Sequence, residues 1–179
     1  DSLAAFGGIV GLNRVVDTAT ARALVSTFIE AVIAPGVEEG ARAILAAKAN
    51  MRVVVADLKP GDDPVRRRDV RSILGAMLVQ QRDEVVEARV AWNATMAESA
   101  GLKVVTSRAP SEAEWGALRF AWRICAHVKS NAVIFADASR TLAIGAGQMS
   151  RVDAVRVAVM KALATGGTNP LAGSVAASD

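Results

Sequence analysis

Apolar positions recur along this chain in two alternating rhythms. The run "AFGGIVGLN" (5–13) is short, apolar and glycine-bearing, and predicts a strand. Asp17, a good N-cap, follows, and then Ala21, Leu24, Val25, Phe28 and Ile29 fall on one helical face. "AVIAPG" (31–36) predicts a short buried strand ended by Pro35 and Gly36. The next helix turns Val37, Ala41, Ile44 and Leu45 inward and stops at Asn50. "MRVVVADL" (51–58) predicts a third strand. Strands alternating with helices of this length imply right-handed crossovers and a largely parallel sheet covered on both faces.

The pattern then changes. "LKPGDDPVRRRD" (58–69) reads as a loop, "VRSILGAMLVQQ" (70–81) as extended chain, and residues 82–110 show no clean period. The expected organisation is a first α/β lobe over 1–81, an irregular connection over 82–110 and a second α/β lobe over 111–179. In the second lobe Ser111 and Glu114 have capping-box spacing and open a helix whose stripe is Trp115, Leu118, Trp122 and Cys125, ending near Val128. "NAVIFAD" (131–137) and "TLAIGAG" (141–147) are joined so closely that they must form an antiparallel hairpin. A helix from Ser150 carries Asp153 in its first turn and is expected to face Val152, Val155, Val159 and Leu163 inward, before a last extended piece, "GSVAAS" (173–178).

Composition sharpens this picture. With 52% apolar residues, 4% aromatics and no tyrosine, the core must be built from Val, Ala, Leu and Ile, as in layered α/β proteins. A lone cysteine, Cys125, makes no internal disulfide and fits a reducing cytoplasm. No apolar run approaches a membrane span, so no membrane partner is expected. The net charge of +3 mildly favours an anionic ligand. Much of it sits in Arg66–Arg68 and Arg71, where no aromatics interleave, so nucleic acid is not an expected partner. Both chain ends read as the middle of packed structure, which suggests a piece of something longer.

The hairpin carries the candidate chemistry. It brings "KSN" (129–131) at one strand's start beside "GAGQMSR" (145–151) at the other's end. Lys129, Asn131, Gln148 and Arg151 then converge beside a helix N-terminus, whose free N–H groups favour an anion. The asparagine amide suits a carboxamide or nucleobase edge, and arginine suits phosphate or carboxylate. Equally, Asn131 could satisfy local backbone and Arg151 could be plain surface. "GAGQMS" is G-x-G-x-x-S after a hairpin strand, which fails the dinucleotide fingerprint. A zinc deaminase site needs a His or Cys plus a Cys-x-x-Cys pair, and only His127 and Cys125 are available. His127, the sole histidine, is better explained by its place near a helix C-terminus than by catalysis. Glu30 is expected at a helix C-terminus, where a carboxylate opposes the dipole; it is either simply exposed or held for a polar partner such as ribose hydroxyls. No transition metal is expected.

Taken together, "AFGGIVGLN", "VIAPG", "VKSNAV" and "IGAGQMSRVDAVRVA" resemble, in order over nearly the whole chain, the formyltransferase part of the bifunctional 5-aminoimidazole-4-carboxamide ribonucleotide formyltransferase/IMP cyclohydrolase family. The resemblance implies lobes of three-layer, cytidine-deaminase-like topology without zinc, each a mixed sheet flanked by helices. It implies a homodimeric, cytoplasmic enzyme of purine synthesis that moves a formyl group from 10-formyltetrahydrofolate to the amine of the imidazole carboxamide nucleotide. By the same resemblance Gly7, Glu30, Asn131 and Arg151 contact the nucleotide, Val152 lies against the folate, and Lys129 and Gln148 support. The family's Lys-His pair, which removes the amine proton and stabilises the oxyanion, has no match in this chain, so no catalytic residue is assigned. Ala76 and Ala143 stand where the family usually has glycine. The alternative is a non-catalytic nucleotide-binding or dimerisation module.

Overall fold

Strand β1 (Gly8–Gly11) leads through Asp17 into helix α1 (Thr18–Val25), and the Asp17 carboxylate accepts from the Thr20 N–H at 2.7 Å. A computed structural model gives this architecture and describes residues 5–57, 68–96 and 100–179. Two compact units result, Asp1–Arg68 and Asp69–Asp179.

In the first unit β2 (Ile29–Ala34), α2 (Glu39–Ala46) and β3 (Arg52–Val55) complete two strand–helix–strand repeats, and the sheet is parallel in the order β1-β2-β3. The core is Val16, Ala21, Leu24, Ile29, Val32, Ala34, Ala41 and Leu45, all but Val16 from positions the apolar rhythm marks. Helix α1 is shorter than its periodicity suggests. The Ser26 N–H and hydroxyl both donate to the Ala23 carbonyl, the helix stops, and Phe28 and Ile29 leave it. Ile29 enters β2 instead, where a β-branched side chain packs on a pleated surface. The expected covering of both faces is not met at β3, whose four residues are all exposed.

The second unit opens with a two-stranded sheet of β4 (Arg68–Ile73) and β5 (Ala76–Gln81). Arg68 and Asp69 are therefore strand and not loop, and the rest of the expected loop, residues 58–67, lies outside the described residues. Leu74 at φ 42° and Gly75 at φ 84° make the two-residue reversal, the turn whose twist matches a hairpin. This pair falls with the second unit, so the division lies earlier than residue 81. Nor is the segment after it a bare connection. A 3₁₀ turn at Val86–Arg89 sets Ala88 and Trp92 against Trp115, the two indoles edge to face with centroids 6.5 Å apart. The Trp92 indole N–H donates to the Glu87 carbonyl at 2.8 Å and that of Trp122 to the Glu87 carboxylate at 2.6 Å. Trp92 and Ala88 join this packing from a segment without period, which is why no repeat betrays it.

Helix α3 (Glu112–Cys125) begins in the expected capping box. Ser111 accepts from the Glu114 N–H, and the Glu114 carboxylate accepts from the Ser111 N–H at 2.7 Å. The hairpin β6 (Val133–Ala136) and β7 (Thr141–Gly145) is antiparallel, with Val133 opposite Gly145. Strand β8 (Val175–Ser178) adds antiparallel to the other side of β6, and the sheet order is β7-β6-β8. The protein is thus mixed α/β, with a parallel and an antiparallel sheet flanked by helices.

Helix α4 (Arg151–Ala164) is turned differently from expectation. Its buried face is Ala154, Ala158 and Ala162, while Val152, Val155 and Leu163 are exposed. The cause is close approach: a Cβ on Gly145 of β7 would lie 1.8 Å from the Ala154 carbonyl oxygen. At that separation only small side chains fit beneath the helix.

Candidate functional site

The antiparallel register of β6 and β7 places the start of one strand beside the end of the other, and the backbone locks them together. The Gly147 N–H donates to the Lys129 carbonyl at 2.7 Å, and Asn131 and Gln148 exchange N–H to carbonyl bonds at 3.3 and 3.4 Å. The Ser130–Asn131 peptide is cis. The Asn131 amide donates to the carbonyls of Gln148 at 2.9 Å and Met149 at 3.4 Å. This satisfies local backbone, as the plainer of the two readings holds, and it leaves the Oδ1 acceptor without a partner among the described residues.

Ser150 then caps α4, accepting from the Asp153 N–H at 3.1 Å and donating to its carboxylate at 2.7 Å. Arg151, the first residue of that helix, donates from Nε to the Ser178 hydroxyl at 2.8 Å and from Nη2 to the Asp179 carbonyl at 2.7 Å. Its Nη1 has no partner among the described residues. Val152, 59% exposed, presents an apolar surface one residue on. Lys129 is exposed. The Gln148 side chain folds back on its own loop, donating to the Ala146 carbonyl at 2.9 Å.

One residue here escaped sequence reasoning. Asp179 follows β8, and because Ser178 pairs with Val133, its side chain lands at the same strand edge as Asn131. It accepts from the Ala132 N–H at 2.8 Å and lies 3.6 Å from Arg151 Nη2. Hydrogen bonding from Ser130 first, then from the Ala132 N–H, with Arg151 adding to both, holds its carboxyl below the ordinary 3.8. The available signal was an acid directly after the last strand. Met149, 98% exposed between Gln148 and Ser150, was also passed over.

Gly7 and Glu30 form a separate cluster in the first unit. Gly7, at φ +72°, donates its N–H to the Phe28 carbonyl at 2.8 Å, and a Cβ there would sit 3.9 Å from a Glu30 carboxylate oxygen. Glu30 is not at a helix C-terminus, as the sequence suggests, but is the second residue of β2, because α1 has already ended. It is exposed and lines a recess of about 550 Å³ with Phe28, Asn50, Met51 and Arg52. His127 follows α3, its N–H bonded to the Ile124 carbonyl at 3.0 Å, in keeping with a place at the helix end. Among the described residues no three His, Cys, Asp or Glu side chains gather as a metal site, and no helix is long and apolar enough to cross a membrane.

These features define a mixed α/β protein whose polar motif residues gather at strand ends and a helix N-terminus. The chain belongs to the AICARFT/IMPCHase bienzyme family, whose family model matches residues 1–161. It is 46% identical over its full length to the bifunctional purine biosynthesis protein PurH of Myxococcus xanthus, covering 32% of that relative. It is 48% identical to the PurH of Synechococcus elongatus over 90% of this chain and 29% of the relative. The PurH of Dinoroseobacter shibae is 46% identical over the full chain and 33% of its own length. The chain therefore spans about a third of the length of these relatives.

Proposed function

We propose that this chain is part of a folate-dependent formyltransferase of purine synthesis, and that its strand-end cluster binds the imidazole carboxamide nucleotide. The observation that supports this most directly is the convergence of Asn131 and Arg151 beside the N-terminus of α4 in a member of this family. The Asn131 Oδ1 accepts from the heterocycle, and Arg151 Nη1 meets an anionic group of the ligand. In the first unit, taken by itself, the Glu30 carboxylate is suited to accept ribose hydroxyls, with the backbone at Gly7 beside it. Val152 offers apolar contact to 10-formyltetrahydrofolate, while Lys129 and Gln148 shape the loop.

The reaction forms a bond between the amine nitrogen and the formyl carbon as the bond from that carbon to the folate nitrogen breaks, and the proton lost by the amine is balanced by the one the folate nitrogen gains. An amine conjugated to the imidazole ring is a weak nucleophile, so orientation against the formyl carbon is the contribution asked of these residues. We read the working enzyme as a cytoplasmic homodimer. The exposed apolar side chains of the β4–β5 hairpin, among them Val70, Met77, Leu78 and Val79, are consistent with a protein partner.

Calorimetric titration with the nucleotide tests the reading. Asn131→Ala and Arg151→Ala are each expected to weaken binding by about 1 to 3 kcal/mol, the scale of losing one good polar partner. Unchanged affinity in both variants overturns it.

A further inference from the structure

A second polar feature of the second unit takes no part in that reading. Between the 3₁₀ turn and the outer face of α3 lies a recess of about 370 Å³, bordered by Arg89, Arg119, Arg123 and His127, with Asp83 the one carboxylate. Arg119, Arg123 and His127 are four residues apart in succession. They therefore form a row along one helix face and the turn that ends it, in steps of about 6 Å. Within it the Arg119 and Arg123 charges repel, so the arrangement costs stability unless something neutralises it.

Two of the neighbouring acids are engaged elsewhere, since Glu84 pairs with Arg89 and Glu87 accepts the indole N–H of Trp122, which leaves Asp83 as the one carboxylate set against the row. Arg119 is anchored by backbone, its Nε donating to the Ala88 carbonyl at 2.9 Å and its Nη2 to that of Arg89 at 3.4 Å. The rest of its fork is thus held in place. Among the described residues neither Arg119 nor Arg123 has a carboxylate partner. A guanidinium already oriented by protein loses less conformational freedom on binding an anion than a free one.

We propose that this recess is an anion site for a diphosphate-bearing ligand. The row of cationic and N–H donors is longer than one phosphoryl group needs, and it matches two linked ones, each able to take a bidentate guanidinium. The site is separate from the strand-end cluster and does not depend on the formyltransferase reading.

Calorimetry with inorganic pyrophosphate at low salt tests it. One equivalent is expected to bind, and Arg123→Gln, an exposed residue with no packing role, is expected to weaken binding by about tenfold or more, the scale of one charge-assisted bond. Arg151→Gln at the strand edge and Arg22→Gln in the first unit serve as controls and are expected to leave pyrophosphate affinity within about twofold. Circular dichroism establishes that each variant is folded. Absence of binding, loss of binding in Arg151→Gln, or equal weakening by Arg22→Gln each overturns the proposal. The last two mean occupation of the strand edge and a general charge effect.

Discussion

At the residue scale, spacing revealed those side chains whose partners are near in sequence. Ser111 and Glu114 are an example, since a capping box is written in four residues. What spacing did not reveal is that Arg108 also grips Glu114, with two bonds of 2.8 Å. That fork first, and the Ser111 bonds after it, hold the Glu114 carboxyl at about 2 against an ordinary 4.5. Asp137 is held at about 2 against 3.8, chiefly by the Ser139 N–H and hydroxyl and then by the Arg140 N–H. Both groups bind a proton more weakly folded than unfolded. Their contribution is therefore complete above the unfolded values and is lost as pH falls from about 4.5 toward 2. Glu114→Gln is expected to be less stable than the parent at neutral pH, with the gap closing over that window. Urea midpoints measured across pH check this, and a gap that stays constant refutes it. Glu30 shows the opposite case: its setting was misread because a local bond at Ser26 ended the preceding helix early.

At the scale of elements, the hairpin of β6 and β7 was readable from link length, because a short link permits only an antiparallel return. The facing of α4 was not. Periodicity favoured the valine and leucine stripe, yet the alanine stripe is buried, because helix and strand approach too closely at Gly145 for larger groups. Gly145→Ala is accordingly expected to destabilise by at least about 3 kcal/mol, since the obstructing atom is backbone. Thermal unfolding checks it, and a change in Tm within error contradicts the close approach. The β4–β5 turn offers a gain instead. Leu74 is fully exposed at φ 42°, a conformation asparagine tolerates better. Leu74→Asn is expected to stabilise the hairpin by up to about 1 kcal/mol, seen as slower amide exchange over residues 68–81.

At the scale of the whole molecule, the two units have separate cores, and all three tryptophans, Trp92, Trp115 and Trp122, belong to the second. Tryptophan fluorescence therefore reports on that unit. Ile134, fully buried in β6, is expected to cost about 2 to 5 kcal/mol on truncation to alanine, read as an earlier fluorescence transition in denaturant. An unmoved transition shows that the β6 core does not support the unit the indoles report on. The sequence by itself determined the alternation of strands and helices, the caps and the tight reversal. Each follows from propensity, periodicity or a contact spanning a few residues. Only the tertiary structure decided which face of α4 is buried, how the tryptophans pack on Glu87, and that Asp179 meets Arg151 and the start of β6. Those outcomes depend on separations set by backbone packing and strand register between residues far apart in the chain, and no local pattern encodes such distances.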